Sequence, residues 1–269
     1  QTTQEIYEMN AFKKTILAAS IAAATVFSGT AAAAPFNSFT VDPVNGNQAN
    51  FVADKITGNY TETATFNPDG TFNVALVWTA GQFVGNGGNT AYSAFQTGLG
   101  SNYGLFANYT ASGTYSVNGS ITTFNFQPGT GSLNLFLDTD LGSEAGNVLL
   151  GSGNPLAGQG TLNPNLSTCS NTGNPGGNGI NCGSFGASST FALTAAGSDF
   201  FILPNPFYSM SFQSGQLNNF TPSGTQTING SLDVVFENAA EVPEPASVGL
   251  LGLGMLGLYA ARRRNKKAA

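Results

Sequence analysis

The run Asp138-Thr139-Asp140-Leu141-Gly142-Ser143-Glu144 gathers three carboxylates around a glycine. Hard cations such as Ca²⁺ take clustered oxygen ligands of this kind and tolerate irregular loops. The run is not an EF-hand, because its fifth position is glycine and the distal bidentate glutamate is missing. A solvated acidic loop after a strand is the preferred reading, with Asp138, Asp140 and Glu144 as alternative Ca²⁺ ligands and no other cofactor expected. Glycoside hydrolysis needs only two carboxylates. Glu62 and Glu237 stand in strand-like runs, where an acid would face solvent or line a groove, but the acids are too scattered to single out a pair. The chain has no histidine, which removes histidine triads, bases and metal ligands together. The expectation is a protein that is not an enzyme. Tyr60, Trp78, Tyr92, Tyr103, Tyr109 and Tyr208 could offer stacking platforms for sugars, although such residues more often serve as core or cross-strand partners. Trp78, in phase with Phe72, Val74 and Leu76, is expected in the core.

Cys169 and Cys182 lie thirteen positions apart in a stretch rich in Gly, Asn, Ser and Thr. In an exported chain an isolated pair reads as a disulfide that clamps a loop, worth ~3 kcal/mol in the chain-entropy account. Nothing nearby would lower a thiol pKa and make either cysteine reactive.

The charges divide the chain. Lys13 and Lys14 sit near the start and Arg262, Arg263, Arg264, Lys266 and Lys267 near the end. Residues 35–240 keep one lysine, Lys55, against ten acids, a net charge of −9. Nucleic-acid binding needs clustered basic residues, so nucleic acid is excluded as a partner. The 21 Phe and 8 Tyr argue against disorder.

Met9 to Ala34 reads as a secretory signal peptide: basic Lys13-Lys14, an apolar run from Thr15 to Phe27, then small residues up to Ala34. Pro35 disfavours a cut directly before it, so signal peptidase is expected to cleave after Ala33. Residues 1–8 fit no part of such a peptide and read as an upstream extension. At the other end, residues 241–269 hold Pro243-Glu244-Pro245, the uncharged run 246–261 and a basic tail. Sixteen residues rise ~24 Å as a helix, marginal for a ~30 Å hydrocarbon core unless the arginines snorkel. Gly252-Leu253-Gly254-Met255-Leu256-Gly257 matches a dinucleotide-binding pattern, but no acid follows it and it lies in an apolar span, so small residues of a membrane helix are the reading.

Residues 35–240 are expected to form one all-β extracellular domain. Short alternating runs bounded by Gly, Pro, Asn and Asp recur, and no 3.6-residue period does. Tyr60–Phe66 and Phe72–Trp78 flank Asn67-Pro68-Asp69-Gly70 as a hairpin. Tyr115–Val117 and Ser120–Phe126 flank Asn118-Gly119 as another. Thr225–Ile228 and Leu232–Phe236 flank Asn229-Gly230 in the same design, and six of ten positions match between 112–121 and 223–232. Leu133, Leu135 and Leu137 alternate, whereas Gly142–Gly186 reads as loop. The predicted fold is an antiparallel β-sandwich of jelly-roll type, preferred over a barrel.

The C-terminal arrangement resembles the PEP-CTERM sorting signal. That resemblance implies that Pro243, Glu244 and Pro245 are the recognition motif and Arg262, Arg263 and Arg264 the retention signal. It also implies an inner-membrane intermediate held by a single spanning helix, which exosortase then processes. Within the domain, Phe39-Thr40-Val41-Asp42-Pro43, Ala53 to Glu62, Pro206 to Gln216 and Ile228 to Phe236 are similar to flocculation-associated PEP-CTERM proteins. The resemblance implies a non-enzymatic structural or adhesive role at the cell surface or in the extracellular matrix, in exopolysaccharide-dependent flocculation and biofilm. The alternative is a lectin-like carbohydrate-binding β-sandwich, with or without Ca²⁺.

Overall fold

The structure, a computed structural model, describes residues 36–43, 48–142, 146–169 and 181–238. The expected extension at 1–8, signal peptide at 9–34 and sorting segment at 241–269, with Pro243, Glu244, Pro245, Arg262, Arg263 and Arg264, lie outside the described residues, as does Glu144. No helix among the described residues is long and apolar enough to cross a membrane.

In chain order the elements are β1 (Phe39–Val41), β2 (Phe51–Ala53), β3 (Lys55–Phe66), β4 (Thr71–Gly85), β5 (Thr90–Ala91), α1 (Ala94–Thr97), β6 (Gly104–Asn118), β7 (Ile121–Asp138), β8 (Asn147–Gly153), β9 (Pro155–Leu162), β10 (Gly183–Ser189), β11 (Ala192–Leu193), α2 (Ala195–Phe200), β12 (Phe201–Leu203), β13 (Ser209–Gln216) and β14 (Gly224–Glu237). The chain is all-β and its pairings are antiparallel, as the alternating runs predict.

The architecture departs from the expected jelly-roll sandwich. β3, β4, β6 and β7 pair in succession. β8 and β9 together run antiparallel to the two halves of β7. β11 and β10 pair with β8 and β9 in turn, β13 follows on β10, and β14 on β13. β14 then pairs with β3 from Gly224↔Phe66 to Val235↔Lys55. The sheet therefore closes as an up-and-down ring of eight wall strands, counting β8–β9 and β10–β11 as one each. Sequential neighbours pair throughout, so the Greek-key crossings that define a jelly roll are absent from this ring.

Two sequence signals failed for physical reasons. Asn229-Gly230 is not a turn: β14 passes straight through it, with Asn229 opposite Thr61 and Gly230 opposite Tyr60. Ring closure uses those backbone groups, whereas Asn118-Gly119 does turn, with Gly119 at φ 62°. The stretch 142–186 is not all loop, since it supplies β8, β9 and the start of β10. Its glycines are strand positions where neighbours press close. A Cβ at Gly151 would strike the Phe191 ring, and one at Gly158 the Phe126 ring.

Inside the ring the period of two puts apolar residues inward. Phe72, Val74, Leu76 and Trp78 of β4 are buried, as are Leu105, Ala107, Tyr109 and Ala111 of β6 and Leu133, Leu135 and Leu137 of β7. Phenylalanines concentrate at both ends. At the end where β3 begins, Phe39 of the small sheet β12-β1-β2 meets Phe236 edge-on at 4.9 Å and Phe201 at 5.8 Å. At the other end Phe66 stacks on Phe220 at 5.6 Å, and Phe72 meets Phe126 at 5.3 Å.

Between these ends lies Trp78, fully buried as the alternation predicts. Its indole Nε1 donates to the Leu232 carbonyl at 3.0 Å, linking β4 to β14 across the intervening β3. Gly58, opposite Leu232 on β3, makes room for it, because any Cβ there would overlap the indole and the Thr79 carbonyl oxygen. Gly58→Ala is expected to lower unfolding free energy by ~1–3 kcal/mol, the usual cost of overpacking. Denaturant unfolding followed by fluorescence of Trp78, the chain's one tryptophan, measures it.

Candidate functional site

The outward positions of the wall carry the polar half of the strand alternation. Across the register they form rows: Thr225, Thr65, Asn73, Ser112; then Thr227, Thr63, Ala75, Thr110, Ser132; then Asn229, Thr61, Val77, Asn108, Asn134, Ser152. None of these residues is charged. Several are locked side chain to side chain. Thr61 Oγ1 donates to Asn229 Oδ1 at 2.8 Å, Ser112 Oγ donates to Asn73 Oδ1 at 2.7 Å, and the Thr65 and Thr225 hydroxyls lie 3.0 Å apart. Such cross-strand pairs hold donors and acceptors at fixed spacing.

Beside these rows runs a further outward row, Thr79, Phe106, Phe136, Leu149. The Phe106 and Phe136 rings stack with centroids 5.0 Å apart and planes 13° from parallel, and both remain half-buried. An open groove of about 550 Å³ adjoins the face, lined by Asn59, Thr61, Thr79, Asn218, Asn229 and Ser231 among others. Asn218, from the segment between β13 and β14, reaches over it and donates from Nδ2 to the Asn229 carbonyl at 2.8 Å. Paired rings amid neutral amides and hydroxyls suit a ligand with apolar CH faces and many hydroxyls.

Phe106 and Phe136 are not among the aromatics expected from the sequence to offer stacking platforms. The signal was available, because each occupies the polar phase of its strand: Phe106 alternates with buried Leu105 and Ala107, and Phe136 with buried Leu135 and Leu137. The aromatics that were singled out lie elsewhere. Tyr60, Trp78, Tyr103 and Tyr109 are buried. Tyr92 and Tyr208 are half-buried and spend their hydroxyls on the Val52 and Ser38 carbonyls.

Asp138 ends β7, and Asp140 is exposed just beyond it. The Asp138 carboxylate accepts the backbone N–H groups of Asp140 at 3.0 Å and Leu141 at 2.9 Å. These bonds, the Asp140 N–H foremost, hold its pKa below the usual carboxylate range. The carboxylate is thus engaged in shaping a turn, with Leu141 at φ 52°. Among the described residues no cluster of three metal-ligating side chains occurs. Cys169 and Cys182 are joined as a disulfide, with Cα atoms 4.3 Å apart.

A second locus lies inside. Glu62 points into the ring, not outward, and is 8 % exposed. Its neighbours across the register are Ile228 and Leu76, and Tyr109 follows on β6. Burial raises the Glu62 pKa to about 7. Tyr109 is raised in turn, by its own burial and then by the Glu62 charge. Glu62 borders a cavity of about 30 Å³ walled by phenylalanines. Glu237, the other acid singled out, sits at the end of β14 opposite Ser209.

Comparison with known proteins adds one match. Residues 241–264 fit the family model of the PEP-CTERM protein-sorting motif. No curated protein and no solved structure matches the chain. The matched segment contains Pro243, Glu244, Pro245 and Arg262 to Arg264. It marks an exported protein, sorted to the cell surface and processed by exosortase.

Glu62 gives the domain a measurable signature. Its folded pKa lies above the unfolded value of 4.5, so the folded state holds its proton longer. Stability should fall as pH rises from 4.5 to about 7 and then level off, by on the order of 3 kcal/mol in all. Glu62→Gln removes that term. Urea unfolding of both proteins at a series of pH values should show a difference that grows over this window, the wild type becoming relatively less stable towards neutral pH.

Proposed function

We propose that this PEP-CTERM protein acts without catalysis, as an adhesive component that holds cells in an exopolysaccharide matrix during flocculation or biofilm growth. The proposed route has signal peptidase releasing the N-terminus, an inner-membrane intermediate held by the 246–261 helix, and exosortase delivering the domain to the surface or matrix. The lectin-like alternative and the adhesive role become one mechanism here, in which the barrel wall grips the polysaccharide directly.

The observation that carries the reading is the stacked Phe106–Phe136 pair set in uncharged rows of Thr, Asn and Ser. Phenyl faces pack against the CH faces of a sugar ring, and the fixed amides and hydroxyls exchange hydrogen bonds with its hydroxyl groups. The domain's net charge of −9 over residues 35–240 disfavours an acidic polymer, which leaves a neutral polysaccharide as the fitting ligand. Ca²⁺ at Asp138 and Asp140 is not needed by this mechanism, so chelator should leave binding intact.

The test is a Phe106→Ala/Phe136→Ala double variant. Losing both rings should weaken binding to purified matrix polysaccharide roughly thirtyfold, at ~1 kcal/mol per ring contact, and should reduce cell aggregation while the protein is still exported. Binding should survive high salt, since no ion pair supports it, and no reducing ends should be released. Unchanged polysaccharide binding by the double variant would remove the wall from consideration. Deleting residues 243–267 tests the sorting step separately: aggregation should be lost although the protein leaves the cell.

A further inference from the structure

Glu62 is a buried acid that meets no protein cation among the described residues. Among the described residues no hydrogen bond or ion pair reaches its carboxyl. The only basic side chain among those residues is Lys55, and it is committed to Asp233 at 2.9 Å. The carboxyl borders the cavity at the end of the ring where β3 finishes, and Phe66, Phe72, Phe124, Phe185 and Phe220 form much of its wall. Phe220, from the β13–β14 segment, borders it and stacks on Phe66 at 5.6 Å and on Phe124 at 5.9 Å.

An unpaired carboxylate in such surroundings is neutralised by a proton or by a cation from solution. The surroundings discriminate among cations. A divalent ion requires six or more oxygen ligands, and the cavity offers one carboxylate. Phenyl faces attract a cation through the ring quadrupole, and weakly hydrated ammonium groups use this best. The volume of about 30 Å³ holds about two waters at ~10–15 Å³ each, which suits ammonium or methylammonium. We propose that this cavity is a binding site for a small ammonium-class cation, held by the Glu62 carboxylate within the phenylalanine wall. The site is separate from the outward face, so its failure leaves the polysaccharide reading untouched.

Proton and cation compete for the same carboxyl. Tyr109 is the titratable group that senses the Glu62 charge, and burial keeps it neutral. With Glu62 titrating at about 7, methylammonium binding to the purified protein should weaken ~10-fold per pH unit below that value. Calorimetry at pH near 7 in two buffers of different ionisation heat should show about half a proton released per cation bound. Glu62→Gln, which keeps the shape and removes the charge, should bind methylammonium at least ~10-fold more weakly. Sodium at equal ionic strength and methanol, a neutral molecule of similar size, should give no comparable binding. The site is overturned if methylammonium does not bind, if methanol binds as well, or if no proton is released. Should the Gln variant fail to fold, the wild-type proton release decides alone.

Discussion

The closure of β14 onto β3 is the constraint on which the rest of this domain depends. It joins residues separated by most of the described chain, so its loop entropy must be met by many contacts forming together. The structure reinforces the seam from within. The Trp78 indole reaches over Gly58 to the Leu232 carbonyl, and so ties the strand on one side of β3 to the strand on the other. Without that seam the sheet would be a long open meander with two edges, each a template for pairing with another chain.

Closure also sorts the side chains. An eight-stranded ring is just wide enough for side chains to fill its interior, and the rings of Phe39, Phe201 and Phe236 at one end and Phe66, Phe124 and Phe220 at the other close off its ends. With apolar residues inside and hydroxyls and amides outside, the barrel has the reverse pattern of one that spans a membrane by its strands. The same filling makes Glu62 conspicuous. Its buried inward neighbours Ala64, Leu76, Tyr109 and Ile228 are apolar or aromatic, and a charge there is disfavoured by desolvation. A residue that costs stability at neutral pH and has no partner among the described residues is where a ligand would act.

The sequence carried the class of fold and most strand phases, because alternation with a period of two is a local property. Phe72, Val74, Leu76 and Trp78 read as one face and lie on one face. It carried Asn67-Pro68-Asp69-Gly70 as a turn, since Asp69 Oδ1 caps Thr71 N at 3.0 Å and Gly70 sits at φ 82°. It did not carry the global arrangement. A jelly roll and an up-and-down ring can be built from the same alternating strands, and the difference lies in which distant strands pair. The Asn229-Gly230 dipeptide shows how that choice overrides a local signal: pairing with Tyr60 and Thr61 holds it extended. Glu62 was noted as an acid in a strand, but whether it faces in or out depends on register, and register follows from closure. Phe106 and Phe136 are the opposite case: their outward phase is legible in the alternation with Leu105, Ala107, Leu135 and Leu137, against the general expectation that aromatics lie inside.

The distribution of charge fits the proposed adhesive role. Asp42, Asp69, Asp138, Asp140 and Asp199 lie at strand ends, in turns or in the short helix α2, while the central outward rows stay neutral. Acids at the margins keep copies of the domain from clumping through nonspecific attraction, and the closed ring denies them an open wall edge on which to pair. Contact with a partner is then left to the side chains of the wall. Those chains are fixed by cross-strand hydrogen bonds such as Thr61 to Asn229, so little conformational freedom is lost when they bind. A wall of this kind gains little per unit area from any one sugar. In the proposed adhesive role it would gain by repetition, because many copies displayed together could engage one long polymer at once, and effective concentration would then supply the adhesion that a single weak contact cannot.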